Sequence, residues 1–370
     1  MNTIIEDKVR NLFLKINLAG NLSRKKFILD ILLGMIEGRK VAFNEISLHI
    51  KTDSKVASTE RRIQSFFSDF TFNYSIVASF LLCLMPFGKL SLCIDRTEWD
   101  FGKFQCNILM ITVRLLGVGL PLYWELLDNK SGNSNALNRI DLMQKCVDLV
   151  GISRIGIIIG DREFIGNKWL KWLKDNNIPF CMRMPKSHLV TLENGKICSI
   201  KDLLKETETL YLTNCIVDNI KCNVYLKKLD NDNYLYLIGS EPAKNLGTLY
   251  RNRWSIEVCF QSFKKRGFDL ESTHLRDPEK LKKLLVFTSL ALALCVNLGI
   301  FLHEKVKKVK VKKHGYKPNS FFRQGMNAIR KILKGKEKQQ EQYIINALDY
   351  LIRWIDIQLP NYQQVTKNIG

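Results

Sequence analysis

The 370-residue sequence predicts an α/β fold: a mixed sheet with helices on both faces, interrupted by a β-rich insertion, plus an N-terminal helical domain. Three observations carry this prediction. Apolar residues recur at helical spacing before residue 88, and strand-like alternation begins at Lys89. Strands and helices then alternate up to residue 184. Short strand-like segments fill residues 185–244 before helices resume at about Leu246.

Residues 1–88 are predicted to be helical. Asn21 is placed to cap a helix whose apolar residues, from Phe27 to Met35, lie three and four apart. Shorter helices are expected at about 44–50 and from Ser58. Three short helices with basic turns are typical of a helix-turn-helix-like DNA-binding unit, and equally of a helical cap on the next domain. We predict that residues 1–88 form a helical DNA-binding domain.

The core domain is predicted to comprise residues 89–184 and 245–302. Its first strand follows from alternation over 90–95, and Gly117 and Gly119 mark a hairpin between the next two strands. The isoleucine-rich run after Arg154 is typical of a buried central strand flanked by helices.

The stretch from Leu284 to Leu302 holds 19 residues without a formal charge, which is long enough for a membrane span. Its Thr288, Ser289 and Asn297, and its isolation in the chain, favour a buried core helix instead. We therefore expect no membrane association.

Composition excludes several classes of protein. With 46% hydrophobic and 25% charged residues, the chain is expected to fold, and its ten scattered cysteines lack CxxC pairs. A disulfide-rich secreted scaffold and a cysteine zinc site are therefore excluded. The first residues lack a secretory signal pattern, so we expect a cytoplasmic protein with reduced thiols.

The net charge of +21 indicates an acidic partner, either nucleic acid or a membrane surface. Residues 303–370 form a basic, helical C-terminal region with fifteen Lys and Arg against five Asp and Glu. Phosphate-backbone binding is expected there, with a merely solvated charged face as the alternative. Its lysines are interleaved with valines: Lys305, Lys307, Lys308, Lys310, Lys312 and Lys313.

Two aspartates follow predicted strands. Asp95 is placed at the end of the first strand, and Asp161 follows the isoleucine-rich strand. Open α/β sheets place their sites at such strand ends, although a strand-end Asp also caps the next segment in many proteins.

A third acid, Glu257, lies in a segment that we predict to be one helix. On such a helix four side chains share an arc of about 60°, and Trp254 lies beside it: Tyr250, Arg253, Glu257 and Lys264. An ordinary surface helix with a salt-bridged face is the alternative. Three carboxylates on separate elements suit two Mg²⁺ ions, for which Mn²⁺ can substitute, and these ions promote phosphoryl transfer.

These residues resemble a known family. The spacing Tyr250-x2-Arg253-x3-Glu257-x6-Lys264 resembles the Tyr-Arg-Glu-Lys signature of the IS-four family of bacterial insertion-sequence transposases. Asp95-Arg96-Thr97 and Asp161-Arg162-Glu163-Phe164 resemble its two Asp motifs, and the resemblance spans roughly residues 25–300.

The resemblance implies a ribonuclease-H-like catalytic core and cut-and-paste transposition by a DDE transposase. Metal-dependent cleavage at the terminal inverted repeats, with a hairpin on the transposon end, would precede strand transfer into target DNA. Asp95, Asp161 and Glu257 would hold the metals, while Tyr250, Arg253 and Lys264 would contact terminal phosphates. A homodimer would pair two ends.

One departure concerns base stacking. Relatives that form hairpins stack a flipped base on a tryptophan in the insertion, and residues 185–244 contain none. Trp254 is the candidate replacement, with packing as its alternative role. Aromatic residues of the insertion include Tyr211, Tyr225, Tyr234 and Tyr236.

The sequence is also compatible with other functions. A ribonuclease-H-like nuclease without strand transfer would use the same chemistry. A catalytically inactive DNA-binding derivative or inhibitor would need no intact acids, and a membrane protein is the remaining alternative. If Glu257 were not catalytic, Glu163 would be the next candidate.

Overall fold

The computed structural model describes residues 3–101, 104–128, 132–204, 208–229, 233–306, 308, 320–335 and 341–362. The chain divides into two compact units. The helical unit comprises Met1–Pro86, Trp99–Cys106 and Cys259–Gly370. The sheet unit comprises Phe87–Glu98 and Asn107–Val258.

Five helices precede the first strand. The predicted cap is confirmed, because the Asn21 side chain accepts a hydrogen bond from the backbone N–H of Arg24. The first and fifth helices were not predicted. The helices are α1 (Thr3–Leu14), α2 (Leu22–Gly38), α3 (Phe43–Ser47), α4 (Val56–Asp69) and α5 (Tyr74–Cys83).

Ten strands of the described residues form one sheet in the order β3-β2-β1-β4-β5-β10-β9-β8-β6-β7. Helices α6 (Ala136–Val150) and α7 (Asn167–Asp175) precede β4 and β5. The strands are β1 (Leu90–Phe101), β2 (Phe104–Leu115), β3 (Val118–Leu127), β4 (Ile155–Gly160), β5 (Phe180–Arg183), β6 (Leu189–Thr191), β7 (Ile197–Ser199), β8 (Thr209–Val217), β9 (Ile220–Lys228) and β10 (Tyr234–Gly239).

The sheet is mixed, as predicted. Strands β1, β4 and β5 are parallel, whereas β2 and β3 pair antiparallel across the predicted hairpin. Leu116 and Gly117 both have positive φ, which a tight two-residue hairpin turn requires. The predicted α/β class with a mixed sheet is therefore confirmed.

The β-rich segment extends this sheet. Strand β10 pairs antiparallel with β5, with Leu237 opposite Arg183, because the edge of β5 offers unpaired backbone groups. Strand β7, only three residues long, was not predicted.

The remaining helices are α8 (Ala243–Tyr250), α9 (Trp254–Phe263), α10 (Pro278–Lys305), α11 (Phe321–Leu333) and α12 (Glu341–Gln358). Helix α10 is long and apolar enough to cross a membrane, but 83% of its most apolar 18-residue window is buried inside the protein. It has the burial that we predicted for a core helix.

Helices α10 and α11 approach closely at glycine. A Cβ atom on Gly299 would lie 1.9 Å from the carbonyl oxygen of Phe321, and one on Gly325 would lie 1.8 Å from that of Cys295. Any larger side chain at either position would force these two helices apart.

Two further predictions concern the thiols and the basic tail. All ten cysteines lie within the described residues and are free in this structure. In the lysine run, Lys305 ends α10, whereas Lys307, Lys310, Lys312 and Lys313 fall outside the described residues. Phosphate binding by this run stays a prediction, as does the assignment of residues 1–88 to DNA binding.

Candidate active site

Asp95 and Asp161 lie side by side on neighbouring parallel strands. The register pairs Ile94 of β1 with Gly160 of β4, and each aspartate is the next residue. One detail of the prediction is wrong, because β1 runs on to Phe101 and Asp95 is therefore inside the strand. It lies instead where the parallel pairing with β4 stops.

The segment from Tyr250 to Lys264 is not the single helix that we predicted. A 3-10 turn over Arg251–Arg253 separates α8 from α9, and Lys264 follows the last residue of α9. A 3-10 turn has three residues per turn rather than 3.6, so the predicted 60° arc does not describe these side chains.

Arg253 links two of the predicted acids. Its Nη1 donates to Asp95 Oδ2 at 2.7 Å and to Glu257 Oε1 at 3.2 Å. The side chains of Arg253 and Asp95 are only 13% and 14% exposed, so this ion pair is largely shielded from water.

Tyr250 and Arg183 lie against the third acid. The Tyr250 hydroxyl donates to Asp161 Oδ1 at 3.1 Å, and Arg183 Nη1 is 3.9 Å from the same oxygen. The Arg253 guanidinium lies 5.8 Å from the centroid of the Tyr250 ring. The sheet unit thus brings together Asp95, Asp161, Glu257, Tyr250 and Arg253, which we call the acid cluster.

The charges of the acid cluster act on one another. The pKa of Asp95 is raised to about 7, chiefly by burial; Arg253 opposes the rise, and Glu257 and Asp161 add to it. Burial by itself would lower the pKa of Arg253, but the surrounding acids and Tyr250 raise it overall. Asp95 therefore carries a proton more readily than an ordinary aspartate.

This raised pKa predicts a pH dependence of stability. Because the pKa of Asp95 is higher in the folded than in the unfolded chain, its favourable contribution is complete below about pH 4 and is lost as pH rises through about 7. Between pH 5 and pH 8 we expect the wild type to lose about 2 kcal/mol of unfolding free energy relative to Asp95→Asn. Urea unfolding in EDTA at both pH values measures this difference, and parallel pH profiles would contradict it.

The donor set of the acid cluster fits divalent metals. Burial and the neighbouring acids raise the pKa of the Asp95 carboxyl, so its charged form calls for a nearby cation, and carboxylate oxygens are preferred ligands of Mg²⁺. Arg253 supplies that positive charge in the present arrangement. No three His, Cys, Asp or Glu side chains in the described ranges are arranged to hold a metal ion. Metal binding would therefore require Arg253 to give up contacts with the acids.

Trp254 and Lys264 are placed differently. Trp254 is 61% exposed and is therefore not a buried core residue. Lys264 belongs to the helical unit, where its Nζ lies 4.0 Å from Glu271 Oε1.

A network beside the two aspartates was missed by sequence reasoning. Arg96 Nε donates to Glu163 Oε2 at 3.1 Å, and the Ser134 hydroxyl donates to Glu163 Oε1 at 2.8 Å. Arg96 follows Asp95 directly and Glu163 lies two residues after Asp161, so the ion pair ties the two aspartate segments together. Glu163, our second candidate for catalysis, has both oxygens engaged.

A buried contact also connects β1 with the start of α9. Cys93 Sγ lies 3.5 Å from the carbonyl oxygen of Asn252 and 3.6 Å from Ser255 Oγ. The alternating pattern of β1 indicates that Cys93 and Ile94 face opposite sides of the sheet. It does not indicate which helix or turn packs against Cys93.

Comparison with known proteins gives the chain a family. A family model described as "Transposase DDE domain" matches residues 89–294. No curated protein matches the chain. Among solved structures it is similar to the cryo-EM structure of the piggyBac transposase synaptic complex with hairpin DNA, with 13% identity, a TM-score of 0.45, and coverage of 95% of this chain and 83% of that one. Because the family model covers more than half of the sequence, the chain belongs to the transposase DDE domain family.

Proposed function

We propose that this protein is a cut-and-paste DNA transposase of the IS-four type that cleaves DNA at terminal inverted repeats and transfers the freed ends to target DNA. The observation that carries the proposal is the acid cluster. Arg253 donates hydrogen bonds to Asp95 on β1 and to Glu257, and Tyr250 donates one to Asp161 after β4. Family membership supports the transposase activity, and the Tyr-Arg-Glu-Lys spacing supports the IS-four type.

In this proposal Asp95, Asp161 and Glu257 are the catalytic acids and hold Mg²⁺, with Mn²⁺ as a substitute. Two bound ions would supply activation of the attacking oxygen and neutralisation of charge on the phosphate. The protein would supply metal ligands from three separate elements. The Asp95 side chain is largely buried and paired with Arg253, so it has little freedom to move. Above about pH 7 the ionised form of Asp95 is favoured, and this carboxylate form is the one that binds a metal cation.

Arg253, Tyr250, Lys264 and Trp254 are proposed to contact the DNA. A guanidinium released from Asp95 and Glu257 could bind a phosphate through two parallel hydrogen bonds. The Tyr250 hydroxyl, which donates to Asp161 in this structure, would turn to a phosphate oxygen. The exposed Trp254 ring could stack on an unpaired base beside the cleaved phosphate.

The proposed partners are inverted-repeat DNA and target DNA, bound by a homodimer that pairs two transposon ends. The net charge of +21 favours binding of the DNA backbone in general, independent of sequence. We place this activity in the cytoplasm of a bacterium, where its DNA lies.

A cleavage assay tests this function. The full chain is incubated with Mg²⁺ and labelled DNA that carries the inverted repeats flanking its gene, and the products are separated on denaturing gels. We expect nicks at the repeat ends, then hairpin ends, then joined products when target DNA is added. The control DNA has the same composition with scrambled repeats and is expected to remain intact.

The products also separate the alternatives. Cleavage without joined products would indicate a nuclease that lacks strand transfer. Tight binding of the repeats without any cleavage would indicate an inactive derivative or inhibitor. Equal cleavage of repeat and scrambled DNA would contradict recognition of transposon ends.

A further inference from the structure

Three arginines of the helical unit gather where α2 ends. Arg39 is the residue after the last turn of α2, and Arg323 and Arg330 lie on α11. Because seven residues are almost two helical turns, Arg323 and Arg330 share one face of α11. We call these three side chains the arginine cluster.

Backbone carbonyls hold the arginine cluster in position. Arg330 Nε donates to the carbonyl oxygen of Glu37 at 2.9 Å, and Arg39 Nη2 donates to that of Arg266 at 3.2 Å. The backbone of Arg39 is left-handed, with φ of 59°, and its N–H bonds to Met35 at the end of α2. Among the described residues, the guanidinium groups of Arg39 and Arg330 are thus held by neutral carbonyl acceptors rather than by carboxylates.

Some donors of the cluster have no acceptor. Arg39 Nε and Arg323 Nη1 are buried and make no hydrogen bond to the described residues. An unpaired buried donor costs about 1–3 kcal/mol, more when it is charged, so a purely structural network is not expected to leave two of them.

The charges in the cluster are also unbalanced. Burial lowers the pKa of Arg39, and repulsion from Arg323 and Arg330 lowers it further. Burial and Arg323 lower the pKa of Arg330, and only Glu37 opposes them. Within the part of the chain that the structure describes, three cations therefore face one opposing acid, Glu37, and this arrangement calls for an additional anion.

We propose that the arginine cluster binds a phosphate of the DNA backbone, at a site separate from the acid cluster. Guanidinium groups match phosphate oxygens in geometry and charge, and converging arginines are a common way to bind one. Such a contact positions DNA without reading its sequence. This inference rests on the proposed function, because that function supplies the DNA.

The test compares the full-length wild type with Arg323→Gln in EDTA, where no cleavage occurs. Affinity for inverted-repeat DNA and for scrambled DNA is measured across a range of salt concentrations. We expect Arg323→Gln to weaken binding several-fold on both DNAs and to reduce the slope of log K against log salt by about 0.9. Arg323→Lys should restore part of the affinity, since it restores the charge but not the planar fork.

A matched control and a stability measurement complete the test. Lys331→Gln removes one positive charge from an exposed position on the same helix and is expected to leave the slope unchanged. The melting temperature of Arg323→Gln without DNA should equal or exceed that of the wild type, because repulsion within the cluster is relieved. A purely structural arginine would instead lower it.

The contrary outcomes are distinct. An unchanged slope with a lowered melting temperature would overturn the inference and make Arg323 structural. Stabilisation of the wild type by inorganic phosphate, with no effect of Arg323→Gln on DNA affinity, would overturn it in favour of a free anion. Wild-type protein that binds neither DNA would contradict the proposed function itself, whereas normal wild-type binding with an unaffected variant overturns this inference alone.

Discussion

Asp95→Asn, Asp161→Asn and Glu257→Gln are each expected to abolish Mg²⁺-dependent cleavage of inverted-repeat DNA while leaving DNA binding close to that of the wild type. Loss of residues that merely orient metal ligands costs about 10–100-fold in activity or affinity, so loss of a ligand should cost more than about a hundredfold. Single-turnover cleavage and filter binding with the same labelled DNA measure both quantities.

The matched control for these variants is Asp175→Asn. Asp175 lies at the end of α7 in the sheet unit, is 54% exposed on its side chain, and pairs only with Lys171 one helical turn earlier among its described contacts. The Asp175→Asn variant loses the same negative charge, but outside the acid cluster, and is expected to cleave DNA normally. Normal cleavage by Glu257→Gln would remove Glu257 from the site.

Arg253→Gln is expected to destabilise the metal-free protein strongly. Arg253 neutralises Asp95 and Glu257 in a place largely shielded from water, and removal of one partner of a buried ion pair typically costs about 3–5 kcal/mol. The loss of unfolding free energy should be greatest at pH 8. It should be smaller at pH 5, because Asp95 is protonated at that pH and no longer needs a positive partner. Urea unfolding in EDTA measures it.

Mg²⁺ should partly reverse this loss. If the carboxylates of the acid cluster accept either the guanidinium or a metal, added Mg²⁺ will stabilise Arg253→Gln more than it stabilises the wild type. Arg251→Gln is the control, since Arg251 is exposed in the same 3-10 turn and bonds to Thr248. Equal stabilisation of all three proteins by Mg²⁺ would argue against competition between metal and Arg253.

Local patterns in the sequence predicted much of the core. Alternation around Leu92, the isoleucine run of β4 and the cap at Asn21 each follow from short-range spacing, and the structure confirms them. The short β7 has too few residues for a period to show.

The candidate site could be predicted as residue types but not as contacts. Asp95 and Asp161 were predicted as strand-end carboxylates, and the structure places each of them one residue beyond the last parallel pair of β1 and β4. The 3-10 turn before Trp254 has no signal in side-chain periodicity, so the orientations of Tyr250 and Arg253 could not be derived. The Arg96–Glu163 pair depends on the sheet register, which only tertiary structure determines.

The central claim is that Asp95, Asp161 and Glu257 form one metal-dependent cleavage site. Anomalous diffraction from crystals of the full chain with inverted-repeat DNA and Mn²⁺ tests it most directly. We predict anomalous peaks coordinated by the carboxylates of all three acids, and no such peaks in crystals of Asp95→Asn. Manganese bound elsewhere, or bound equally well in Asp95→Asn, would contradict the claim.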